Sequence, residues 1–116
     1  MIASREEPSD GMLDVGGTRT VRTAEQTRIL LLEALHKSSS IDLDCSSVTE
    51  ADLSFVQLLL SARKSASTFG KCLTLAGPAR GALLDILRRG GFVKADGSTG
   101  DRIFWLGSEA IDEDHP

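Results

Sequence analysis

The feature that most constrains the fold is the stretch covering residues 41–69, IDLDCSSVTEADLSFVQLLLSARKSASTF. Ile41, Leu43 and Cys45 alternate with polar residues, which is the period of a half-buried strand. The polar-rich SSVTE that follows predicts a turn. Asp52 stands where the N-cap of a helix is expected, ahead of an apolar run of about four turns. The stretch therefore predicts a strand, a turn that ends on a carboxylate, and a buried helix.

The predicted helix after Asp52 carries one polar stripe, and apolar residues cover the rest of its circumference. Because the apolar arc is wider than half of the helix, we expect this helix to pack on a sheet. The stripe consists of Ser54, Gln57, Ser61, Lys64, Ser65 and Thr68, most of which have small hydroxyl side chains. Small side chains let another backbone approach closely, so the stripe is either ordinary surface or a contact surface, and both interpretations stay open.

The remaining chain alternates strand patterns with helix patterns. A helix is expected to start at a capping box formed by Thr23 and Gln26 and to run to about His36. Ile29 falls nearly opposite the buried face of that helix, either as an isolated exposed residue or as part of an interface. The other segments are expected to be strands at 12–15, 18–21, 71–76 and 102–106, a turn or bulge at 16–17 and a flexible turn at 94–101.

Glycine and proline mark the expected helix boundaries in the second half of the chain. Gly70 is expected to end the central helix in a left-handed conformation. A third helix is expected to have Pro78 in its first turn. The Gly90-Gly91 pair is expected to close that helix in a Schellman motif, with Phe92 as the returning apolar residue.

The order of these patterns predicts an α/β fold with a mixed β-sheet of four to five strands and helices packed on it. A chain of 116 residues is expected to form one domain. We assign that domain to residues 11–107. The polar residues 1–10 are expected to be a mobile N-terminal segment and residues 108–116 an acidic tail.

Composition excludes several classes of function. The formal net charge is −4 and no basic stripe is present, which argues against nucleic acid binding. No secretory signal or membrane-spanning stretch is recognisable, so no direct membrane insertion is expected and the expected location is the cytoplasm. Cys45 and Cys72 are expected to be reduced and buried in two strands, with a disulfide as the less favoured alternative. A metal site is less favoured still, because the spacing fits no metal motif.

No catalytic constellation is apparent, so no enzyme activity and no cofactor are expected. The carboxylates Asp42, Asp44 and Glu50 cluster near Asp52, but no metal site is indicated because further ligands are not apparent. The two histidines, at the end of a helix pattern and in the tail, do not look positioned as a catalytic base. An enzyme or a small-ligand binder stays a rival class, which a deep polar pocket would reveal.

The segment from Asp42 to Asp52, with the helix through Leu60, resembles the STAS domain family, which includes bacterial anti-sigma-factor antagonists. The family pattern is a strand that ends in an acidic residue, a short turn, and an Asp-Ser/Thr-Ser-Gly-Leu start of a helix. The strand pattern 70–75, the helix pattern 78–83 and the Gly91-Phe92 pair fit as well. The resemblance covers roughly residues 12–93 and implies a STAS-like, non-enzymatic domain.

The resemblance also implies a site. In the antagonist branch of the family, the Ser or Thr directly after the motif Asp is phosphorylated, which changes the partner that the domain holds. Here Asp52 is followed by Leu53, which cannot accept a phosphate. Ser54 aligns with the second Ser of the motif and Phe55 replaces the Gly. The family switch therefore looks disabled, and phosphorylation of Ser54 is a hypothesis.

By this resemblance we expect a protein–protein interaction module, namely an anti-sigma-factor antagonist or partner-switching regulator that binds a kinase-like anti-sigma factor or a similar signalling partner. The alternative is an accessory STAS subunit of a lipid-transport ABC ATPase, and a homodimer is a further alternative. Leu53 and Phe55 are expected to act as an apolar anchor, unless Phe55 fills the core. The expected partner-binding residues are Arg22, Thr23, Asp52, Leu53, Ser54, Phe55 and Gln57.

Overall fold

The computed structural model describes residues 11–93 and 99–107, and for residues 99–101 it describes the backbone alone. The N-terminal segment 1–10, most of the turn at 94–101 and the tail at 108–116 lie outside the described residues. The described strands are β1 (Gly11–Asp14), β2 (Gly17–Arg19), β3 (Ser40–Asp44), β4 (Val48–Ala51) and β5 (Cys72–Leu75). The helices are a 3₁₀ turn (Val21–Thr23), α1 (Ala24–Lys37), α2 (Leu53–Thr68), α3 (Gly81–Arg89) and α4 (Thr99–Leu106).

The five described strands form two parallel sheets rather than the expected single mixed sheet. One sheet has the order β1-β3-β5, and the other pairs β2 with β4. β2 pairs with β4 and not with the three-stranded sheet, and the β2–β4 pairing has a register shift between Gly17 and Thr18. Gly16 lets this segment approach the Ser46–Ser47 turn closely, since a Cβ there would lie 2.1 Å from the hydroxyl oxygen of Ser47.

Strand β4 replaces most of the turn that was predicted after the central strand. Only Ser46 and Ser47 form the turn, and β4 begins at Val48. The prediction failed because β4 is short and its central residues Thr49 and Glu50 are exposed. Pairing with β2, about thirty residues earlier in the chain, makes it a strand.

The core lies between the three-stranded sheet and the helices. The expected strand alternation is confirmed, since Ile41 and Leu43 are fully buried between half-buried carboxylates. Val56 and Leu59 of α2 and Leu31 of α1 join the same buried cluster. Polar residues of β3 and β5 alternate with this buried set. Cys45 is buried as expected, but the expectation that Cys72 is buried is wrong: Cys72 is exposed because Leu73 takes the inward position of β5.

The glycine-type helix ends are confirmed. Gly70 has φ +72°, and the Lys71 N–H donates to the Ala66 carbonyl at 2.7 Å, as in a Schellman motif. Gly91 repeats this geometry at the end of α3, where the Phe92 N–H donates to a carbonyl one turn back. The expected start of α3 at Pro78 is wrong, since the helix begins three residues later.

Helix α4 occupies the place where an edge strand was expected at residues 102–106. The Trp105 side chain is completely buried, and the Trp105 carbonyl accepts a hydrogen bond from the Ala79 N–H at 2.7 Å. Phe104 lies edge-on to Trp105, and the Arg63 guanidinium lies 4.9 Å from the centroid of the Phe104 ring. The hydrogen bond between Ala79 and Trp105 seats α4 against the loop before α3, and Pro78 lies in that loop.

Among the described helices, none combines the length and the apolarity that crossing a bilayer requires.

Candidate functional site

The Asp52 carboxylate joins two separate elements at the start of α2. Its Oδ1 accepts from the Ser54 N–H at 3.0 Å and from the Ser54 hydroxyl at 2.6 Å. Its Oδ2 accepts from the N–H of Val21, in the 3₁₀ turn, at 3.0 Å. The predicted N-cap is therefore confirmed, and the same side chain also holds the 3₁₀ turn against the helix start.

The environment of Asp52 keeps its carboxylate ionised. The hydrogen bond from the Ser54 hydroxyl is the main cause that lowers the pKa of this carboxyl, and the backbone N–H groups of Val21, Phe55 and Ser54 act in the same direction. The position is also electrostatically favourable, because a negative charge at a helix N-terminus complements the helix dipole. The junction therefore carries a fixed negative charge at neutral pH.

The 3₁₀ turn has its own capping box, three residues earlier than expected. The Thr20 hydroxyl accepts from the Arg22 N–H, and the Thr20 N–H donates to the Thr23 hydroxyl at 3.1 Å. The Thr23 hydroxyl also contacts the carbonyls of Thr18 and Thr20. Thr23 therefore makes no side-chain cap bond to α1, and the predicted Thr23–Gln26 box is wrong.

Around Asp52 the two elements present a compact exposed surface. Val21 is 68% exposed and Leu53 is 46% exposed, and the hydrogen bond from the Val21 N–H to the Asp52 carboxylate holds the backbone of the 3₁₀ turn against the helix start. Arg22 and Gln57 are exposed as well. We call Val21, Arg22, Leu53 and Gln57 the helix-start surface. Val21 was missed in the expected set because the sequence pattern placed it at the end of a strand.

Phe55 does not belong to this surface. Its side chain is 1% exposed and lies in the core cluster. Two residues along a helix turn the side chain by about 200°, so Leu53 and Phe55 cannot face the same way. The expectation that they form one apolar anchor is corrected: Phe55 fills the core, and only Leu53 of the two is exposed.

Ser54 is half-buried, and its hydroxyl is engaged by Asp52. Its oxygen lies 2.6 Å from the Asp52 carboxylate, so a phosphate there would bring two anions together. Such a phosphate would also remove the hydroxyl donor of the cap. Phosphorylation of Ser54 stays a hypothesis. With this geometry, a phosphate on Ser54 would break the cap at the start of α2.

The other clustered carboxylates contact hydroxyl groups. Asp42 accepts from Thr74 at 2.6 Å, and Asp44 accepts from Ser46 at 2.6 Å. The Ser46 hydroxyl is the main cause that lowers the pKa of Asp44. Within residues 11–93 and 99–107, no group of three or more His, Cys, Asp or Glu side chains is placed to hold a metal ion.

Comparison with known proteins identifies the family. The family model described as "Mlab, STAS domain" matches residues 2–95. Neither a curated protein nor a solved structure matches the chain. The matched segment includes both sheets, the 3₁₀ turn and helices α1 to α3, and therefore the whole helix-start surface. Since the match spans well over half of the sequence, the chain belongs to the STAS domain family.

Proposed function

We propose that this chain is a non-enzymatic protein-binding module and that its partner docks on the helix-start surface. STAS domains are generally non-catalytic and typically occur in anti-sigma-factor antagonists and transporters. Both settings require a domain that recognises another protein. The arrangement around Asp52 supports this surface as the contact.

The observation that carries the proposal is the double role of Asp52. One carboxylate caps α2 and also holds the backbone of Val21, so two elements that are distant in sequence form one rigid edge. Rigid presentation favours binding, because little side-chain and loop entropy is lost when the partner docks. Val21 and Leu53 supply apolar area, while Arg22 and Gln57 supply polar contacts at the margin.

For the partner, we propose a kinase-like anti-sigma factor or a similar signalling protein, as in partner-switching regulators. Leu53 occupies the position of the family phosphoacceptor, so phosphate at that position does not release the partner. If regulation by phosphate is retained, Ser54 is the available acceptor beside Asp52, and its modification would break the cap. Intact-mass analysis after incubation with the neighbouring kinase tests this, and an unchanged mass would end the Ser54 hypothesis.

Leu53 specifically favours a second candidate function, an accessory subunit of a lipid-transport ABC ATPase. An accessory subunit can remain bound throughout its working cycle and needs no acceptor at the helix start. An apolar residue at that position suits a permanent contact, because permanent interfaces are more apolar than transient ones. In this candidate the same surface would contact the ATPase subunit.

One experiment decides between the candidates. The full chain is mixed with the purified anti-sigma factor or the purified ATPase subunit encoded near its gene, and binding is measured by calorimetry. Amide hydrogen exchange of the complex then maps the contact. The proposal expects added protection at residues 20–23 and 52–57 in whichever complex forms. Protection confined to other segments would contradict it.

A further inference from the structure

We propose that Arg19 and Thr27 are positioning residues, which set the affinity of the helix-start surface for its partner by holding the 3₁₀ turn from the side of α1. Thr27 is 1% exposed and Arg19 is half-buried, and neither belongs to the helix-start surface. The inference rests on the proposed function, because it concerns the same surface. It goes beyond that function by giving a role in binding to side chains that act through the turn and not through contact with the partner.

A chain of hydrogen bonds connects the segments before and after the turn. Arg19 ends β2, and Thr27 lies in the first turn of α1, so the 3₁₀ turn stands between them in sequence. The Arg19 guanidinium donates through Nε to the Gly16 carbonyl at 2.9 Å and through Nη1 to the Thr27 hydroxyl at 3.1 Å. The Thr27 hydroxyl donates in turn to the carbonyl of Thr23, the last residue of the 3₁₀ turn, at 3.0 Å. One hydroxyl group therefore connects β2 with the end of the turn.

The burial of Thr27 indicates that its hydroxyl serves these bonds and not the apolar core. Thr27 shares the buried face of α1 with Leu31 and Leu35. A valine at this position would supply nearly the same shape without a polar group. A buried hydroxyl costs free energy unless it is hydrogen-bonded, and here it accepts from Arg19 and donates to Thr23. The polar contacts of Thr27 therefore act on the geometry of the turn.

The Arg19–Thr27 pair and Asp52 hold the 3₁₀ turn from two sides. On the side of α2, the Asp52 carboxylate accepts from the Val21 N–H at 3.0 Å. On the side of α1, the pair fixes the base of the turn, whose residues Val21 and Arg22 are exposed. A turn that leaves this orientation for part of the time lowers the fraction of molecules that can bind, so the apparent dissociation constant rises. Loss of the pair is therefore expected to weaken binding without removing a contact.

Variants of Thr27 in the full chain test the proposal. Amide hydrogen exchange of the free chain reports on residues 21–23, whose N–H groups are all hydrogen-bonded. Calorimetry with the purified partner encoded near the gene reports on affinity. Thr27→Val keeps the shape and removes the hydroxyl, so exchange at residues 21–23 is expected to accelerate and affinity to fall by about two- to tenfold. Thr27→Ser keeps the hydroxyl and is expected to exchange and bind as wild type does.

Arg19→Lys tests the other member of the pair. Lysine keeps the charge, but a single ammonium group lacks the forked geometry that lets the guanidinium reach Gly16 and Thr27 together, so this variant is expected to behave like Thr27→Val. Thr68→Val is the matched control, because the Thr68 hydroxyl likewise donates to a carbonyl one turn back, that of Lys64, at the far end of α2. It is expected to leave the affinity and the exchange at residues 21–23 unchanged. Circular dichroism melting verifies the fold of each variant.

Leu53→Ser separates failure of this inference from failure of the proposed function. Met12→Ser is measured beside it, because Met12 is a 64% exposed apolar residue of β1 outside the helix-start surface. Unchanged exchange at residues 21–23 in folded Thr27→Val would overturn the positioning role, and so would wild-type affinity of Thr27→Val beside a weakened Leu53→Ser. Faster exchange that extends over all elements would assign Thr27 a structural role alone and would also overturn it. Wild-type affinity of both Leu53→Ser and Thr27→Val would refute the proposed function itself, and the positioning role with it.

Discussion

Two substitutions of Asp52 test its two roles, the cap of α2 and the hydrogen bond to the 3₁₀ turn. Alanine removes the cap bond to Ser54, the hydrogen bond from Val21 and the charge at the helix N-terminus. Loss of an N-cap costs about 0.5–2 kcal/mol, and a typical hydrogen bond contributes about 0.5–1.5 kcal/mol net. Asp52→Ala is therefore expected to lower the free energy of unfolding by roughly 1–3.5 kcal/mol.

Asparagine is the informative comparison. Asn caps helices about as well as Asp and keeps one acceptor oxygen for Ser54, but its amide nitrogen cannot accept from Val21. Asp52→Asn is therefore expected to cost roughly 1 kcal/mol, the value of the lost tertiary hydrogen bond and charge. The ordering of wild type, asparagine and alanine tests whether one carboxylate serves both elements.

Urea unfolding followed by circular dichroism at neutral pH measures these differences. The dependence of the free energy of unfolding on urea concentration is compared between variants, to verify that they share a common unfolded state. Glu50→Gln serves as the control, since Glu50 is exposed and makes only a long contact of 3.4 Å to Thr18. This control is expected to change stability by less than about 0.5 kcal/mol. Equal stability of the alanine and asparagine variants would refute the double role, and so would an alanine variant as stable as wild type.

Three further predictions test other features of the structure. Phe55→Ala is expected to destabilise the fold by about 3–5 kcal/mol in the same urea assay, because Phe55 is fully buried. A cost below about 1 kcal/mol would contradict this burial. At mildly alkaline pH a thiol reagent is expected to modify Cys72 rapidly and Cys45 only on unfolding, since burial raises the pKa of Cys45 to about 12; rapid modification of both would contradict this burial. The folded state lowers the pKa values of Asp52 and Asp44, so the stability that these carboxylates add is complete above the ordinary carboxyl pKa and is lost as pH falls through the lowered values. Asp52→Asn is expected to lose less stability than wild type as the pH is lowered. Identical dependence of stability on pH in the two proteins would contradict this prediction.

The sequence predicted the elements that local chemistry determines. An Asp before an apolar helix is a capping signal that needs no distant contact, and Asp52 caps α2 as expected. Gly70 and Gly91 end their helices because the left-handed conformation favours glycine over other residues. The buried alternation of β3 follows from the two-residue period of a strand.

The elements that distant contacts determine were predicted less well. Strand β4 has exposed polar residues at its centre and exists because it pairs with β2. The apolar segment 102–106 is too short for periodicity to distinguish strand from helix, and the burial of Trp105 against the loop before α3 decides for α4. The two parallel sheets were predicted as one, because the pairing of β1 with β3 and of β2 with β4 joins residues about thirty positions apart and leaves no local sequence signal.

The structure changes which residues the candidate site contains, and its role in partner binding stays a prediction. The family resemblance pointed to the start of α2 and the turn near Arg22, and the structure brings these two elements together. Phe55 was misplaced because both Leu53 and Phe55 are apolar, and only the helix phase relative to the core tells them apart. Val21 was missed because its exposure depends on the 3₁₀ turn that Asp52 holds.

The most direct test of the helix-start surface is the affinity of Leu53→Ser for the purified partner encoded near the gene, measured by calorimetry beside wild type and Met12→Ser. Leu53 is exposed, so its replacement is expected to leave the fold intact. We predict that Leu53→Ser weakens binding by about tenfold or more while Met12→Ser binds as wild type does. Equal affinities of Leu53→Ser and wild type would contradict the assignment of this surface as the partner contact.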